Sequence, residues 1–185
     1  MKRSDLLKQM DHFDGLGKRV FTTQDLRKIF REDSPLALRN SIARISSEEK
    51  PMLQRVTKGT YVFAHSRRPW THVLEEVARS LRRGYYAYLS LESALSEHGL
   101  ISQVPVGHIT VMTTGRLGVF ETGMGTIEFT HTSREPGSFL RELLEVGRPL
   151  PLASADLALA DLKRLDRNLH MLQSTKEEAP DAGFH

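Results

Sequence analysis

Apolar residues near the start of the chain recur at helical spacing. Leu6, Met10 and Phe13 fall on one face of the segment 4–13, and this periodicity predicts a first helix. The segment 14–17 contains two glycines, so we expect the helix to end there in a turn.

The second and third predicted helices each begin at a residue suited to capping. Thr22 stands three residues before Asp25, which is close to the capping-box pattern. Ser34 precedes Pro35, and proline suits the first helical position because that N–H has no helical partner. The apolar stripe of the second helix is Leu26, Ile29 and Phe30, and that of the third is Leu38, Ile42 and Ile45.

Two short β-like runs follow the third helix. Residues 53–56 and 60–63 flank Thr57-Lys58-Gly59, which predicts a tight hairpin. Two helices, a short turn, a third helix and a hairpin within ~60 residues is the order of a winged helix-turn-helix. We therefore expect such a domain over residues 1–66.

Beyond residue 66 short helical and strand-like runs alternate. The predicted helices are 70–83, 91–98 capped by Ser90, 138–146, and 154–172 with the stripe Ala158, Leu162, Leu165, Leu169 and Leu172. The predicted strands are 85–89, 108–113, 118–121 and 126–131. This order predicts a mixed α/β domain over residues 67–175, and the polar segment 176–185 predicts a flexible tail. The fold class expected for the whole chain is α+β.

The net charge of +3 is unevenly distributed along the chain. Residues 1–70 contain 15 Lys and Arg against 8 Asp and Glu, a balance of +7, whereas residues 71–185 contain 11 against 15, a balance of −4. Such asymmetry indicates two modules, of which the first suits a polyanionic partner.

Apolar runs, the N-terminus and the cysteine content indicate where in the cell the protein is expected. No apolar run approaches the ~18–20 residues that a membrane span needs, and no apolar stretch follows the basic N-terminus. The chain contains no cysteine, which excludes disulfides and thiol chemistry. We expect a cytoplasmic protein without a membrane partner.

The third predicted helix carries side chains suited to reading DNA bases. Arg39, Asn40 and Arg44 lie opposite its apolar stripe; arginine can bond guanine bidentately and asparagine can bond adenine in the same way. Five further residues on the second helix and the hairpin are placed to hold phosphates: Arg27, Lys28, Arg31, Arg55 and Lys58. The alternative is that these basic residues are merely solvated and that the domain binds protein.

The sequence lacks complete motifs for catalysis, nucleotide binding or metal binding. The segments 15–18 and 123–125 lack the full glycine patterns and the helix that nucleotide loops require. The eight histidines have no metal-ligand spacing, and no nucleophile elbow exists. We therefore expect no enzyme activity, no cofactor and no metal.

Several segments resemble AbiEi-type antitoxins, a family of winged-helix regulators. The similar segments in the N-terminal half are 20–26, 38–44 and 53–62, and those in the C-terminal half are 88–103, 109–116, 125–131 and 152–162. The family usually has Pro-Glu where this chain has Ala155-Asp156, a departure expected to loosen the first turn of the last helix.

The resemblance implies a role in a bacterial toxin–antitoxin system. Such antitoxins repress their own promoter through the winged helix, usually at inverted repeats in double-stranded DNA. Their C-terminal domain counteracts a nucleotidyltransferase-type toxin, with or without direct contact. The alternatives are a winged-helix adaptor that binds protein and a general transcriptional regulator without antitoxin activity.

Overall fold

A computed structural model of the chain describes residues 1–101 and 106–166. Within those residues the strands form two separate sheets, and helices alternate irregularly with strands along the chain. The predicted α+β class is therefore confirmed. The segment predicted as a tail, 176–185, lies outside the described residues, as do Leu169 and Leu172.

The N-terminal part (residues 1–66) combines three helices with a small antiparallel sheet of strand order β1-β3-β2. Its elements are α1 Arg3–Gly15, β1 Val20–Thr22, α2 Thr23–Ile29, α3 Pro35–Ser46, β2 Leu53–Thr57 and β3 Thr60–Phe63. The helices cover one face of the sheet and enclose a core that consists of Leu6, Met10, Phe21, Leu26, Leu38, Ile42, Ile45, Met52, Leu53 and Phe63.

Both predicted caps are present. The Thr22 Oγ1 accepts from the backbone N–H of Asp25 at 3.1 Å, while the Asp25 carboxylate accepts from the backbone N–H of Thr22 at 2.9 Å. This reciprocal pair is a complete capping box at the start of α2. The Ser34 hydroxyl accepts from the N–H of Ala37 at 3.3 Å, and Pro35 occupies the first position of α3.

The C-terminal part (residues 67–166) is built on a six-stranded mixed sheet of order β6-β7-β5-β4-β9-β8. Its elements are α4 Val73–Leu81, β4 Ala87–Leu89, α5 Leu91–Glu97, β5 His108–Thr113, β6 Gly118–Thr122, β7 Gly125–His131, α6 Pro136–Phe139, β8 Leu143–Leu144, β9 Leu152–Ala153 and α7 Ala155–Arg164. Strand β5 runs parallel to β7 and β4 runs parallel to β9, while the other pairs are antiparallel. Helices α5 and α7 pack against each other.

The small sheet serves two cores. Successive side chains on a strand point to opposite faces, so Phe21 and Phe63 join the helical core whereas Val20 and Val62 face the other way. Those valines belong to the core of the C-terminal part, and Val62 is fully buried. Helix α4 contacts both β1 and β3 on one side and β5 and β7 on the other. The two parts therefore share a hydrophobic interface along this helix.

Two ion pairs, one of them through the buried Arg19 and the other through the exposed Arg83, also join the two parts. The Arg19 guanidinium, 1% exposed, donates two hydrogen bonds of 3.0 Å to the Glu76 carboxylate of α4. The Arg83 guanidinium donates to both carboxylate oxygens of Asp25 at 2.8 and 2.9 Å. Each pair joins residues more than fifty positions apart.

Predictions near the C-terminal end of the described chain were partly wrong. The segment 138–146 is not one helix: α6 is followed by a 3-10 turn at Leu140–Glu142, and the next two residues form β8. Residues 143–144 form β8 because they pair with β9, and the sequence pattern predicted neither strand. The final helix ends at Arg164, and Leu165 is 38% exposed rather than part of a buried stripe. Asp166 then adopts a left-handed φ of 48°, which no helix continues through.

Ser90 does not cap α5 with its side chain as predicted. Its hydroxyl donates instead to the carboxylate of Asp161 on α7 at 2.9 Å, and the Tyr88 hydroxyl donates to the same carboxylate at 3.2 Å. The backbone after Ser90 makes a sharp bend, with Leu91 at a φ of 55°. Burial raises the pKa of Asp161, although the hydrogen bonds and the nearby Arg134 oppose that effect.

None of the helices in the described residues combines the length and hydropathy that a bilayer crossing requires.

Candidate nucleic-acid interface

Helix α3 presents a polar face to solvent and an apolar face to the core. Arg39, Asn40 and Arg44 are all exposed, whereas the stripe Leu38, Ile42 and Ile45 is at most 2% exposed. Helical geometry places residues 39 and 44 about 7.5 Å apart along the axis. That separation corresponds to about two base-pair steps of 3.4 Å. The three side chains predicted to read bases therefore share one accessible surface.

Backbone capping fixes where this surface begins. The Ser34 cap and Pro35 start α3 after a short connection from α2, and Leu38 anchors its first turn in the core. The first turn also exposes Leu36, which is 59% exposed. An exposed apolar side chain beside arginines is able to meet a thymine methyl group as well as a protein surface.

The residues predicted to contact phosphates are also exposed. Arg27 and Lys28 lie in the last turn of α2, and Arg31 follows that helix. Arg55 lies on β2, and Lys58 lies in the two-residue turn between β2 and β3. The structure thus leaves all five of these side chains accessible to a partner.

Few of these cations are neutralised. Arg31 pairs with Glu32 at 3.7 Å, but both side chains are more than 80% exposed, and such pairs contribute about 0–1 kcal/mol. Within residues 1–101 and 106–166, no carboxylate lies within 4.0 Å of the other four cations, Arg27, Lys28, Arg55 and Lys58. Their charge is available to an anionic partner.

The hairpin is held against α2 rather than standing free. Gly59 has a left-handed φ of 77°, which closes the turn after Lys58. Its carbonyl accepts from the backbone N–H of Thr23 at 2.8 Å and from the Thr23 hydroxyl at 3.3 Å. The first turn of α2 therefore fixes the position of Lys58.

Asp25 links this surface to the C-terminal part. Burial alone would raise the pKa of Asp25, but hydrogen bonds from Arg83 and from the backbone of Thr22, with the charge of Lys18, lower it well below the usual range. The carboxylate is therefore ionised at neutral pH. It caps α2 and neutralises cations from both parts of the chain.

Sequence reasoning missed a second basic surface where the two parts meet. Lys18 and Arg19 precede β1, and Arg82 and Arg83 follow α4; all four line one cleft. Two adjacent pairs of basic residues at helix-to-strand turns were visible in the sequence. Only the packing of α4 against β1 brings them together.

No protein-family model matches the chain, and no curated protein matches it. Among solved structures, the fold is similar to that of the RV2827C protein from Mycobacterium tuberculosis, with a TM-score of 0.54 and 16% identity. The match covers 88% of this chain and 61% of that one, so the chain spans less than two thirds of that protein. At this identity the likeness shows the fold alone.

Proposed function

We propose that this protein is a DNA-binding transcriptional repressor whose N-terminal part is a winged helix-turn-helix. The observation that carries the proposal is the exposed face of α3, where Arg39, Asn40 and Arg44 stand opposite a buried stripe. A recognition helix of this kind enters the major groove, and arginine and asparagine side chains on its exposed face read base edges.

The order of elements supports the winged-helix interpretation. Helix α2, a connection of five residues and helix α3 are followed by the β2–β3 hairpin, which lies beside β1 in one sheet. In this arrangement α3 is the recognition helix and the hairpin is the wing. Arg55 and Lys58 on the hairpin would then hold the DNA backbone beside the groove.

Salt dependence tests the phosphate contacts. Five basic residues are proposed to contact phosphates, so the logarithm of affinity should fall with the logarithm of salt concentration at a slope of about −4 to −5. Fluorescence anisotropy with a labelled duplex from the gene's own upstream region, against a shuffled duplex, measures both this slope and the specificity ratio. Absence of binding at low salt would refute DNA recognition and favour a protein-binding adaptor.

We further propose that the protein acts as an antitoxin in a bacterial two-gene system. The support is the resemblance to AbiEi-type antitoxins. In the structure, the similar segments of the C-terminal part lie on its interior elements β4, α5, β5, β7, β9 and α7. Tyr88, Val111, Ile127 and Leu162 within them are buried. These buried residues belong to the core, so a surface that counteracts a toxin would consist of exposed residues instead.

Repression of the promoter and neutralisation of the toxin should be separable by substitutions in the whole chain. The double variant Arg39→Ala/Arg44→Ala should lose promoter repression while still rescuing growth from a nucleotidyltransferase-type toxin encoded beside it. Loss of rescue at matched protein levels would contradict a division of labour between the two parts. A first observation is whether the neighbouring gene encodes such a toxin.

A further inference from the structure

A cleft of about 730 Å³ lies where the residues before β1 face the end of α4. Seven of the side chains that line it are Lys or Arg, and a single one, Glu76, is acidic. Small-molecule sites are typically concave and about 300–1,000 Å³ in volume. The cleft therefore has the size of a ligand site and a strong preference for anions.

Ion pairs within the described residues neutralise only part of this charge. Five of the seven cations have a carboxylate within 4.0 Å, and two of the carboxylates are shared between cations. The pairs are Lys18 and Arg83 with Asp25, Arg19 and Arg68 with Glu76, and Arg148 with Glu75 and Glu97. Seven cations against four carboxylates leave a local surplus of three positive charges.

Arg79 and Arg82 contribute most directly to the surplus. Arg79 is exposed, and among the described residues its guanidinium hydrogen-bonds the carbonyl of Pro149 alone, at 3.5 Å. Arg82 is 8% exposed; it donates to the carbonyl of Arg116 at 3.0 Å and lies 3.7 Å from the centroid of the Phe129 ring. Burial lowers the pKa of Arg82, because the charged form loses hydration there. An anionic ligand would offset that cost.

An aromatic side chain adjoins the basic cleft. Tyr85 is 59% exposed and lines both this cleft and a neighbouring hollow of about 570 Å³. The hollow is also lined by Thr114, Arg116 and His131, which offer hydrogen-bonding groups. A tyrosine face beside clustered arginines suits a base attached to phosphates.

We propose that this cleft binds a nucleoside diphosphate or triphosphate. The phosphates would accept charge-assisted hydrogen bonds from Arg79, which has no carboxylate partner in the described residues, and from Lys18 and Arg83, which share the one carboxylate of Asp25. The base would stack on Tyr85. The inference goes beyond the DNA-binding function, because a concave site with buried arginines at its base suits a small ligand rather than a duplex, which the exposed α3 face would meet.

Calorimetric titration of the full-length protein tests the site with three probes: ATP, pyrophosphate and inorganic phosphate. ATP and pyrophosphate should bind at one site per chain, with affinities that fall as salt is added. The single tryptophan, Trp70, gives a second readout because its ring lies 4.7 Å from the Arg19 guanidinium. Its fluorescence should change with the same titration curve.

Two variants in the cleft and one control outside it test whether ATP and pyrophosphate bind there. Arg79→Gln should weaken the binding of both ATP and pyrophosphate about 10-fold or more, because it removes a charge-assisted hydrogen bond to the phosphates. Tyr85→Ala should weaken ATP about 5-fold or more while leaving pyrophosphate unchanged. Arg141→Gln is the matched control, because Arg141 is an exposed arginine outside the cleft.

Several outcomes would overturn the proposal. One is no binding of ATP or pyrophosphate at millimolar concentration; another is equal weakening by Arg79→Gln and Arg141→Gln, which would indicate nonspecific charge attraction. A third is that Arg79→Gln weakens operator DNA while ATP does not bind, which would assign the cleft to the DNA surface. The double variant Arg39→Ala/Arg44→Ala should bind ATP normally, so failure of DNA recognition and failure of this site are distinguishable.

Discussion

Single side chains on α3 and the hairpin are proposed to have different roles on DNA. Arg39 and Asn40 stand on the helix face that would enter the groove, whereas Lys58 stands on the hairpin turn. Base contacts determine specificity, and phosphate contacts determine general affinity. Substitutions at the two places should therefore have distinct signatures.

Arg39→Ala or Asn40→Ala should cost about 1–3 kcal/mol at the cognate site and relax specificity at one position. Lys58→Ala should weaken all duplexes nearly equally and reduce the salt slope by about 1. Anisotropy titrations over a set of single-base variants of the operator make the measurement. Uniform weakening by Arg39→Ala, with an unchanged base preference, would place Arg39 among the backbone contacts instead.

The contribution of Asp25 to the free energy of unfolding should depend on pH. Its folded pKa is lower than the unfolded value of about 3.9, so the stability it contributes is complete above about pH 5 and is lost as pH falls below about 4 toward the folded pKa. Asp25→Asn should destabilise the protein by about 1–3 kcal/mol at pH 7, because it removes the charged partner of Arg83 and Lys18.

Urea denaturation at pH 7 and pH 3 measures this difference. The gap between wild type and Asp25→Asn should be smaller at pH 3. The control is Asp156→Asn, an exposed aspartate in the first turn of α7 without such a pair in the described residues. An Asp25→Asn effect that is the same at both pH values would show that charge is not its source.

Elements whose signals are local were predictable from the sequence. The capping box at Thr22 and Asp25, the Ser34-Pro35 start of α3 and the β2–β3 turn all depend on residues within four positions of one another. The β8–β9 pair was not predictable, because two-residue strands carry too little pattern and their pairing is decided by tertiary contacts. Neighbouring residues in the sequence therefore predict where helices begin, but they do not predict very short strands.

One glycine shows how closely two elements approach. Gly125 begins β7 with a φ of 137°, and a Cβ there would lie 2.1 Å from the carbonyl oxygen of Gly107. That oxygen also accepts from the N–H of Thr126 at 2.7 Å, so moving it away would break this hydrogen bond beside the start of the β5–β7 pair.

Gly125→Ala should therefore destabilise the protein by about 2 kcal/mol or more, from backbone strain and the steric clash. Gly137→Ala is the control, since its Cβ would meet nothing within 4 Å and its φ is not left-handed. Thermal denaturation of both variants should show a large shift for the first and little for the second. Equal melting temperatures would show that the backbone around Gly125 accommodates a Cβ without strain.

At the scale of the whole molecule, the two parts are expected to unfold together. Val20, Val56 and Val62 of the small sheet belong to the core of the C-terminal part, and Arg19 and Asp25 pair with residues there. The charge asymmetry indicates two modules along the sequence, but it contains no sign of the shared interface. Which strand face meets α4 is decided only by the packing of the complete chain.

The full-length protein should melt in one cooperative transition seen alike by far-ultraviolet circular dichroism and by Trp70 fluorescence. Val62→Ala should lower the stability reported by both probes by about 2 kcal/mol. Val119→Ala, at a valine that is 61% exposed, should change neither. Two separated transitions, with Val62→Ala shifting only one, would show instead that the parts fold independently.

We propose above all that the exposed face of α3 recognises DNA. The most direct measurement is the affinity of Arg39→Ala/Arg44→Ala for the gene's own upstream duplex, compared with wild type and with Arg141→Gln at the same salt concentration. The double variant should lose at least about 2 kcal/mol, or about 30-fold in affinity, while Arg141→Gln binds like wild type. An unchanged affinity of the double variant would contradict the assignment of α3 as the recognition helix.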